Sequence, residues 1–158
     1  MTIVVATVLG AAAFADNMAW ELRKTILSLK PRGNSASVVM DVNVDGKVIS
    51  VMSSTEGDAS IYFSSGGGMI GGGGHPSVHA KAVSFATEAL KRKADMKPAT
   101  ESPYPEPGIV RLNLRTRDGL FFVEAPKSEL EAGSHPLSPL FLLGQSVFTE
   151  FQAVNARK

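Results

Sequence analysis

Seven glycines lie at one strand-to-helix junction of this chain, and this junction limits the fold more than any other feature. A strand-like stretch at 59–64 leads into the glycine-rich loop, residues 66–74 (Gly-Gly-Gly-Met-Ile-Gly-Gly-Gly-Gly), and a helical pattern begins at Pro76. Each glycine permits a positive φ and the close approach of another group, but costs about 0.5–1 kcal/mol relative to alanine. The glycine-rich loop is therefore expected to be a binding site or a tight backbone crossing.

Composition indicates one globular domain with no strong electrostatic bias. A chain of 158 residues can bury roughly 70 % of the surface that its unfolded form exposes. The 16 Lys and Arg nearly balance the 15 Asp and Glu, so we expect no nucleic-acid partner. The absence of cysteine excludes disulfides, thiolate metal sites and cysteine nucleophiles.

Residues 1–17 are predicted to be an N-terminal extension or leader, and residues 18–158 a single domain. The first fifteen residues are almost wholly apolar and end in Ala-Ala-Ala-Phe-Ala, as a secretory signal does, but no Lys or Arg precedes them. They are also shorter than the ~20 apolar residues of a membrane span. A working start at Met18 is the third interpretation. We expect a cytoplasmic location, with export as the alternative, and no membrane span.

Local patterns predict an α+β fold with a single, mostly antiparallel sheet of about five strands and helices packed on it. The predicted elements are a helix at 18–29, strands at 38–44, 47–52, 59–64, 110–115 and 120–125, a helix from Pro76, and a helix opened by Ser138-Pro139. A segment with four prolines, 94–108, is predicted to be an extended surface connector. The element order is similar to profilin-like and roadblock/longin-like domains, whose members mostly bind partners or small ligands.

The glycine-rich loop satisfies the spacing G-x-G-x-x-G at 66–71, which in a strand-loop-helix setting can direct N–H groups at a phosphate. Such spacings arise by density in a run of seven glycines. No Lys-Ser or Lys-Thr follows them, so the Walker pattern is absent. Tight packing and binding of an anion or small ligand remain the two interpretations, and no cofactor is expected.

The three histidines suggest a metal site without completing one. His75 and His79 are four residues apart, and His135 lies in a second polar turn, which together would give a three-histidine set. Because Pro76 suits the first helical position, His75 falls at the helix cap instead. The alternative is that His75 and His135 each bond backbone groups at helix starts, so no metal site is expected.

A hydrolase interpretation is equally incomplete. His75 could activate Ser64 or Ser65, with the glycine-rich loop donating to an oxyanion. There is no G-x-S-x-G elbow, and nothing selects an orienting carboxylate among Asp41, Asp58 and Glu124. No catalytic residue is assigned.

Two segments together resemble a family of small uncharacterised bacterial proteins. The first is Asp58 to Gly71, which contains Tyr-Phe-Ser-Ser-Gly-Gly-Gly-Met-Ile-Gly and is followed by His75, and the second is His-Pro-Leu-Ser-Pro-Leu-Phe at 135–141. The resemblance spans about 22–151 and leaves out 1–17, but it implies no activity. The family has an acidic residue where this chain has Gly74 and requires no histidine at 79, which disfavours a metal.

The leading hypothesis is a non-enzymatic binding or regulatory domain whose glycine-rich loop and His-Pro-Leu-Ser-Pro turn meet at one end of the sheet. The alternative is a small enzyme or sensor that holds an anionic ligand there. The candidate binding residues are Ser64, Ser65, Gly66, Gly67, Gly68, Gly71, His75, His135 and Ser138. A protein partner or a small anionic ligand is expected, and a homo-oligomer stays open. Two structural expectations follow: the loop or His75 contacts 135–141, and Ile70 is buried.

Overall fold

The computed structural model describes residues 3–4 and 12–157, with side chains from Met18 onward. The helices are α1 (Ala12–Ser28), α2 (Pro76–Lys91), α3 (Lys127–Ala132) and α4 (Ser138–Ala156). The strands are β1 (Ile3–Val4), β2 (Ser37–Val44), β3 (Lys47–Ser54), β4 (Ala59–Phe63), β5 (Gly68–Ile70), β6 (Lys97–Ala99), β7 (Ile109–Thr116) and β8 (Gly119–Pro126). Two short 3₁₀ turns, Gly72–Gly74 and Lys93–Asp95, flank α2.

The fold is α+β with one antiparallel sheet, which confirms the predicted class. The strand order is β1-β5-β4-β3-β2-β7-β8-β6, and every neighbouring pair is antiparallel. The expected number of about five strands is wrong, because the seven strands between 37 and 126 are joined at one edge by β1. The additional strands have two or three residues each, too few to produce an alternating pattern.

The main apolar core lies between one face of the sheet and the pair α2 and α4. The predicted stripe of α2 is buried in it as expected: Val78, Ala82, Phe85, Ala86 and Ala89. Gly144 of α4 lies close to both the sheet and α2, since an added Cβ would be 2.6 Å from the Met40 side chain of β2 and 2.9 Å from the Phe85 ring of α2. The predicted hairpin turn is confirmed, since Asp45 and Gly46 between β2 and β3 have φ of 54° and 88°, as a two-residue turn of type I′ requires.

The opposite face of the sheet is covered by α1 and by the connector, residues 100–107. α1 begins at Ala12, six residues before the apolar pattern indicated. The connector is more than a surface link, because the carbonyls of Pro103 and Pro105 accept hydrogen bonds from the buried side chains of Arg23 and Asn43. The predicted division at residue 17 stays a prediction, because most of 1–17 lies outside the described residues.

The expectation that Ile70 is buried is wrong. Neighbouring residues of a strand point to opposite faces, so Met69 enters the main core while Ile70 turns towards α1. The apolar cluster on that face is small and consists of Ala19, Leu27, Val39, Met52 and Tyr62. Ile70 is therefore only half-buried, and Met69 is the buried anchor of the glycine-rich segment.

Tyr62 in this small cluster should make stability fall at high pH. Its side chain is 3 % exposed, and burial raises the pKa of Tyr62 above its usual 10.0, against a weaker lowering effect of Ser60. A raised folded-state pKa leaves stability intact below the unfolded pKa and removes it as pH rises through the folded pKa. Urea unfolding between about pH 8 and 11 should show this decline, and Tyr62→Phe should flatten it. Parallel profiles for the two proteins would refute the assignment.

Candidate functional site

The residues predicted as a glycine-loop site form a hairpin and a turn. Ser64 is bonded to the start of β3, because its Oγ accepts from the Val48 N–H at 2.7 Å and its N–H donates to the Val48 carbonyl at 2.8 Å. Gly66 and Gly67, with φ of 118° and 87°, follow the exposed Ser65 in the turn from β4 to β5. Gly68 belongs to β5, and Gly71, with φ of 80°, opens the 3₁₀ turn. At these positions the residues serve the backbone structure, through strand hydrogen bonds and turns.

A shallow cavity of about 500 Å³ lies beside this hairpin. It is lined by Phe63, Gly66, Gly67, Gly68, Met69, Gln152, Asn155 and Ala156. Asn155 already donates to the Met69 sulfur at 3.6 Å. With no charged side chain among the described lining residues, this cavity offers little to hold an anion.

The glycine-rich loop and the 135–141 turn lie at opposite ends of α2, so the expected contact between them is wrong. His75 is the N-cap of α2, whereas Arg92, just beyond its last residue, donates to the Pro136 carbonyl at 3.1 Å. A helix of 16 residues is about 24 Å long. The loop instead meets the C-terminal half of α4, where a Cβ on Gly72 would lie 2.6 Å from the Phe151 ring.

The histidines have local structural positions. His135 Nδ1 accepts from the Leu137 N–H at 3.1 Å, and the His135 N–H donates to the Ser138 Oγ at 3.3 Å, so His135 bonds backbone at the start of α4 as the alternative interpretation expected. His75 is half-buried, and the His79 ring lies over Gly57. Within the described ranges, no group of three or more His, Asp or Glu could hold a metal ion.

A polar network fills the centre of the sheet face under α1. Arg23 of α1 and Asp41 of β2 are both fully buried and form a side-on pair, with Nε–Oδ1 at 2.9 Å and Nη2–Oδ2 at 2.6 Å. The same carboxylate accepts from the Ser50 hydroxyl at 2.6 Å and from the Asn113 amide at 2.9 Å. Four donors therefore compensate its burial, and the network joins α1 to three strands.

Further contacts tie the connector to this network. The Arg23 guanidinium lies 5.1 Å from the Trp20 ring centre and 4.9 Å from that of Tyr104, and the two rings meet edge to face at 4.9 Å. Arg111 donates to the Glu101 carbonyl at 3.4 Å and pairs with Glu124 at 3.1 Å. The network thus fixes α1 and the connector relative to each other.

A cavity of about 760 Å³ lies between α1, the connector and the edge of the sheet. Its floor is a row of three paired residues: Leu120 of β8 stands between Arg115 of β7 and Ala99 of β6. Strands about 4.8 Å apart place the outer two Cα atoms about 10 Å apart. The walls are Trp20, Lys24, Leu27 and Ser28 of α1, and Thr100, Glu101, Ser102 and Pro103 of the connector. This α1 cavity has the size of a small-molecule site.

Two lining residues of the α1 cavity have a buried polar atom without a partner. Arg115 Nε and Ser102 Oγ are buried and have no hydrogen-bond partner in the part of the chain that is described. The same holds for Nη1 of Arg23, which is not in the lining. Buried polar atoms are nearly always bonded, so the two unpaired lining residues distinguish this cavity from the others described.

The α1 cavity was not predicted from the sequence, although one residue pattern pointed to it. Arg111, Asn113 and Arg115 alternate with apolar residues along a strand that lies well inside the sheet order. This alternation predicts that their side chains share one face of the sheet, but it does not predict which segments cover that face. Trp20, the single tryptophan, was likewise unassigned.

Comparison with known proteins identifies no relative: no family model, curated protein or solved structure matches the chain. The resemblance to the small bacterial family therefore stays a prediction. In the described part of the chain, no helix is long and apolar enough to cross a membrane.

Proposed function

We propose that this protein is a non-enzymatic binding domain whose ligand is a small organic acid held in the α1 cavity. The observation that carries the proposal is the unpaired Arg115, whose buried Nε faces no acceptor among the described residues. The side chain of Arg115 is only half-buried, so the Nη groups of its guanidinium can bind a carboxylate held in the cavity. Such charge-assisted pairs are about twice as strong as neutral hydrogen bonds.

The rest of the lining supports binding of an amphipathic molecule. Trp20, Leu27 and Leu120 of the lining are apolar and suit the body of such a ligand. Among the lining residues that the structure describes there is no histidine, and Glu101 is their only carboxylate. Because no general base lies beside a hydroxyl nucleophile in this described lining, the cavity suits ligand binding better than nucleophilic catalysis.

The ligand is anionic, as one of the sequence-based hypotheses expected, but its site is on the face of the sheet that α1 covers. A profilin-like or roadblock/longin-like layout and a cytoplasmic location remain proposals of the same kind. The two fold layouts agree with a ligand-binding role, since domains of these kinds mostly bind partners or small ligands.

A protein partner remains the second candidate, favoured by the edge of the sheet at β5. Its outer side pairs with Ile3 and Val4 of the short edge strand β1, and a short edge strand can accept an added strand. A second copy of this chain would be the simplest occupant. Sedimentation showing only monomer at high micromolar concentration would remove that occupant.

Replacing Arg115 with glutamine should weaken ligand binding at least tenfold. The probes are small apolar carboxylates with and without an amino group, measured by calorimetry or ligand-detected NMR. Arg117→Gln is the matched control, because Arg117 is an exposed arginine two residues away and outside the cavity lining. Equal affinities of the two variants, or no binding of any probe at millimolar concentration, would refute the proposal.

A further inference from the structure

The charged side chains in the lining of the α1 cavity indicate a more specific class of ligand. Among the described lining residues, three side chains are charged: Lys24, Glu101 and Arg115. Lys24 forms an exposed pair with Glu21 of its own helix at 3.2 Å. Neither Arg115 nor the Glu101 carboxylate forms an ion pair or side-chain hydrogen bond with any described residue. Besides Lys24, the lining therefore holds one cationic and one anionic residue without a charge partner, the half-buried Arg115 and the exposed Glu101.

From these two charges we infer that the ligand is zwitterionic, an α-amino acid with an apolar side chain, an inference that rests on the proposed function. Its carboxylate binds Arg115 and its ammonium group binds Glu101. An α-amino acid carries both charged groups on one carbon, so a single ligand can bridge two side chains that do not reach each other. Its side chain then lies against Trp20, Leu27 and Leu120.

The register of the strands places Arg115 on one side of Leu120 and, on the other side, the strand that leads to Glu101. Arg115 and Ala99 flank Leu120 on the same face, about 10 Å apart for strands spaced at about 4.8 Å. Glu101 follows two residues after Ala99, and its backbone is held by the hydrogen bond from Arg111 to its carbonyl, at 3.4 Å. The apolar Leu120 thus lies between the cationic and the anionic side of the cavity.

Glu101 also supplies selectivity. A ligand with only a carboxylate would bring its negative charge towards the Glu101 carboxylate and leave that group without a partner. Repulsion of this kind discriminates against a wrong ligand as effectively as an added attraction favours the right one. Glu101 should therefore reject the acid that lacks the amino group.

The test compares L-phenylalanine and L-leucine with 3-phenylpropionate and 4-methylpentanoate, their analogues without the amino group, by calorimetry on the full chain near pH 7. The wild-type protein should bind each amino acid at least tenfold more tightly than its analogue. Glu101→Gln should abolish this preference, whereas Glu106→Gln, an exposed connector residue outside the lining, should preserve it. Arg115→Gln should weaken all four.

The outcomes separate the two proposals. If the analogues bind as tightly as the amino acids, and Arg115→Gln weakens them, the zwitterionic ligand is refuted while the organic acid site stands. If Glu101→Gln leaves the preference intact, Glu101 is not the ammonium partner and the inference also fails. Binding that ignores Arg115→Gln, or no binding of the four compounds at 10 mM, would overturn both proposals.

Discussion

Replacing Asp41 with asparagine is expected to lower the free energy of unfolding by about 3–5 kcal/mol, because it leaves a buried arginine without its charge partner. Arg23 and Asp41 are both 0 % exposed, so water cannot compensate the loss. The substitution also replaces one carboxylate oxygen by an amide NH₂ group, at a position where that oxygen accepts from Arg23 and from either Ser50 or Asn113. Urea unfolding monitored by circular dichroism would measure the change.

The matched control for Asp41→Asn is Glu131→Gln. Glu131 pairs with Lys127 at 2.9 Å on α3, with 49 % of its side chain exposed, and exposed pairs contribute only about 0–1 kcal/mol. Hydrogen exchange adds a local measurement, since amides of α1 should lose protection in Asp41→Asn before those of α2. A loss within 1 kcal/mol of the control would show that the pair does not hold α1 to the sheet.

Gly68→Ala is expected to produce the second large effect, a loss of about 1–3 kcal/mol from overpacking. A Cβ at this position would lie 2.4 Å from the Ile61 carbonyl oxygen. That oxygen belongs to the backbone of β4, the partner strand of β5, so no side-chain rotation can relieve the contact. The β4–β5 pairing would have to shift, which would displace the buried Met69.

Gly74→Ala provides the control within the same glycine-rich loop. Gly74 is exposed and is not among the residues with positive φ, so alanine should change stability by less than about 0.5 kcal/mol. Thermal or urea unfolding of the two variants would compare them directly. Equal, near-neutral effects would mean that the glycine-rich segment is a simple linker and that its close backbone approach is unimportant.

Local order in this protein could be predicted from the sequence because it depends on residues close together in the chain. The stripe of α2 and the Asp45-Gly46 turn were predicted correctly, since helix periodicity and positive φ are properties of short segments. β5 and β6 could not be predicted in the same way. A strand of three residues is defined by its hydrogen bonds to a neighbouring strand, and the glycines and prolines in these segments are typical of loops.

The position of the candidate site is set by long-range packing. His75 and His135 looked like one site because both adjoin unusual motifs, but α2 runs the length of the space between them. The α1 cavity combines α1, the connector and the β7–β8 hairpin, which are far apart in sequence. Which polar residues become buried depends on what covers the face of the sheet.

Local patterns were sufficient to predict the α+β class, the main helices and the two long hairpins, because neighbouring residues set the hydrophobic period and the turn geometry. Packing between distant segments places α1 over Asp41, brings the proline-rich connector beside it, and leaves Arg115 in a cavity lining without a partner among the described residues. These facts depend on contacts between distant segments, whose free energies a local pattern does not contain.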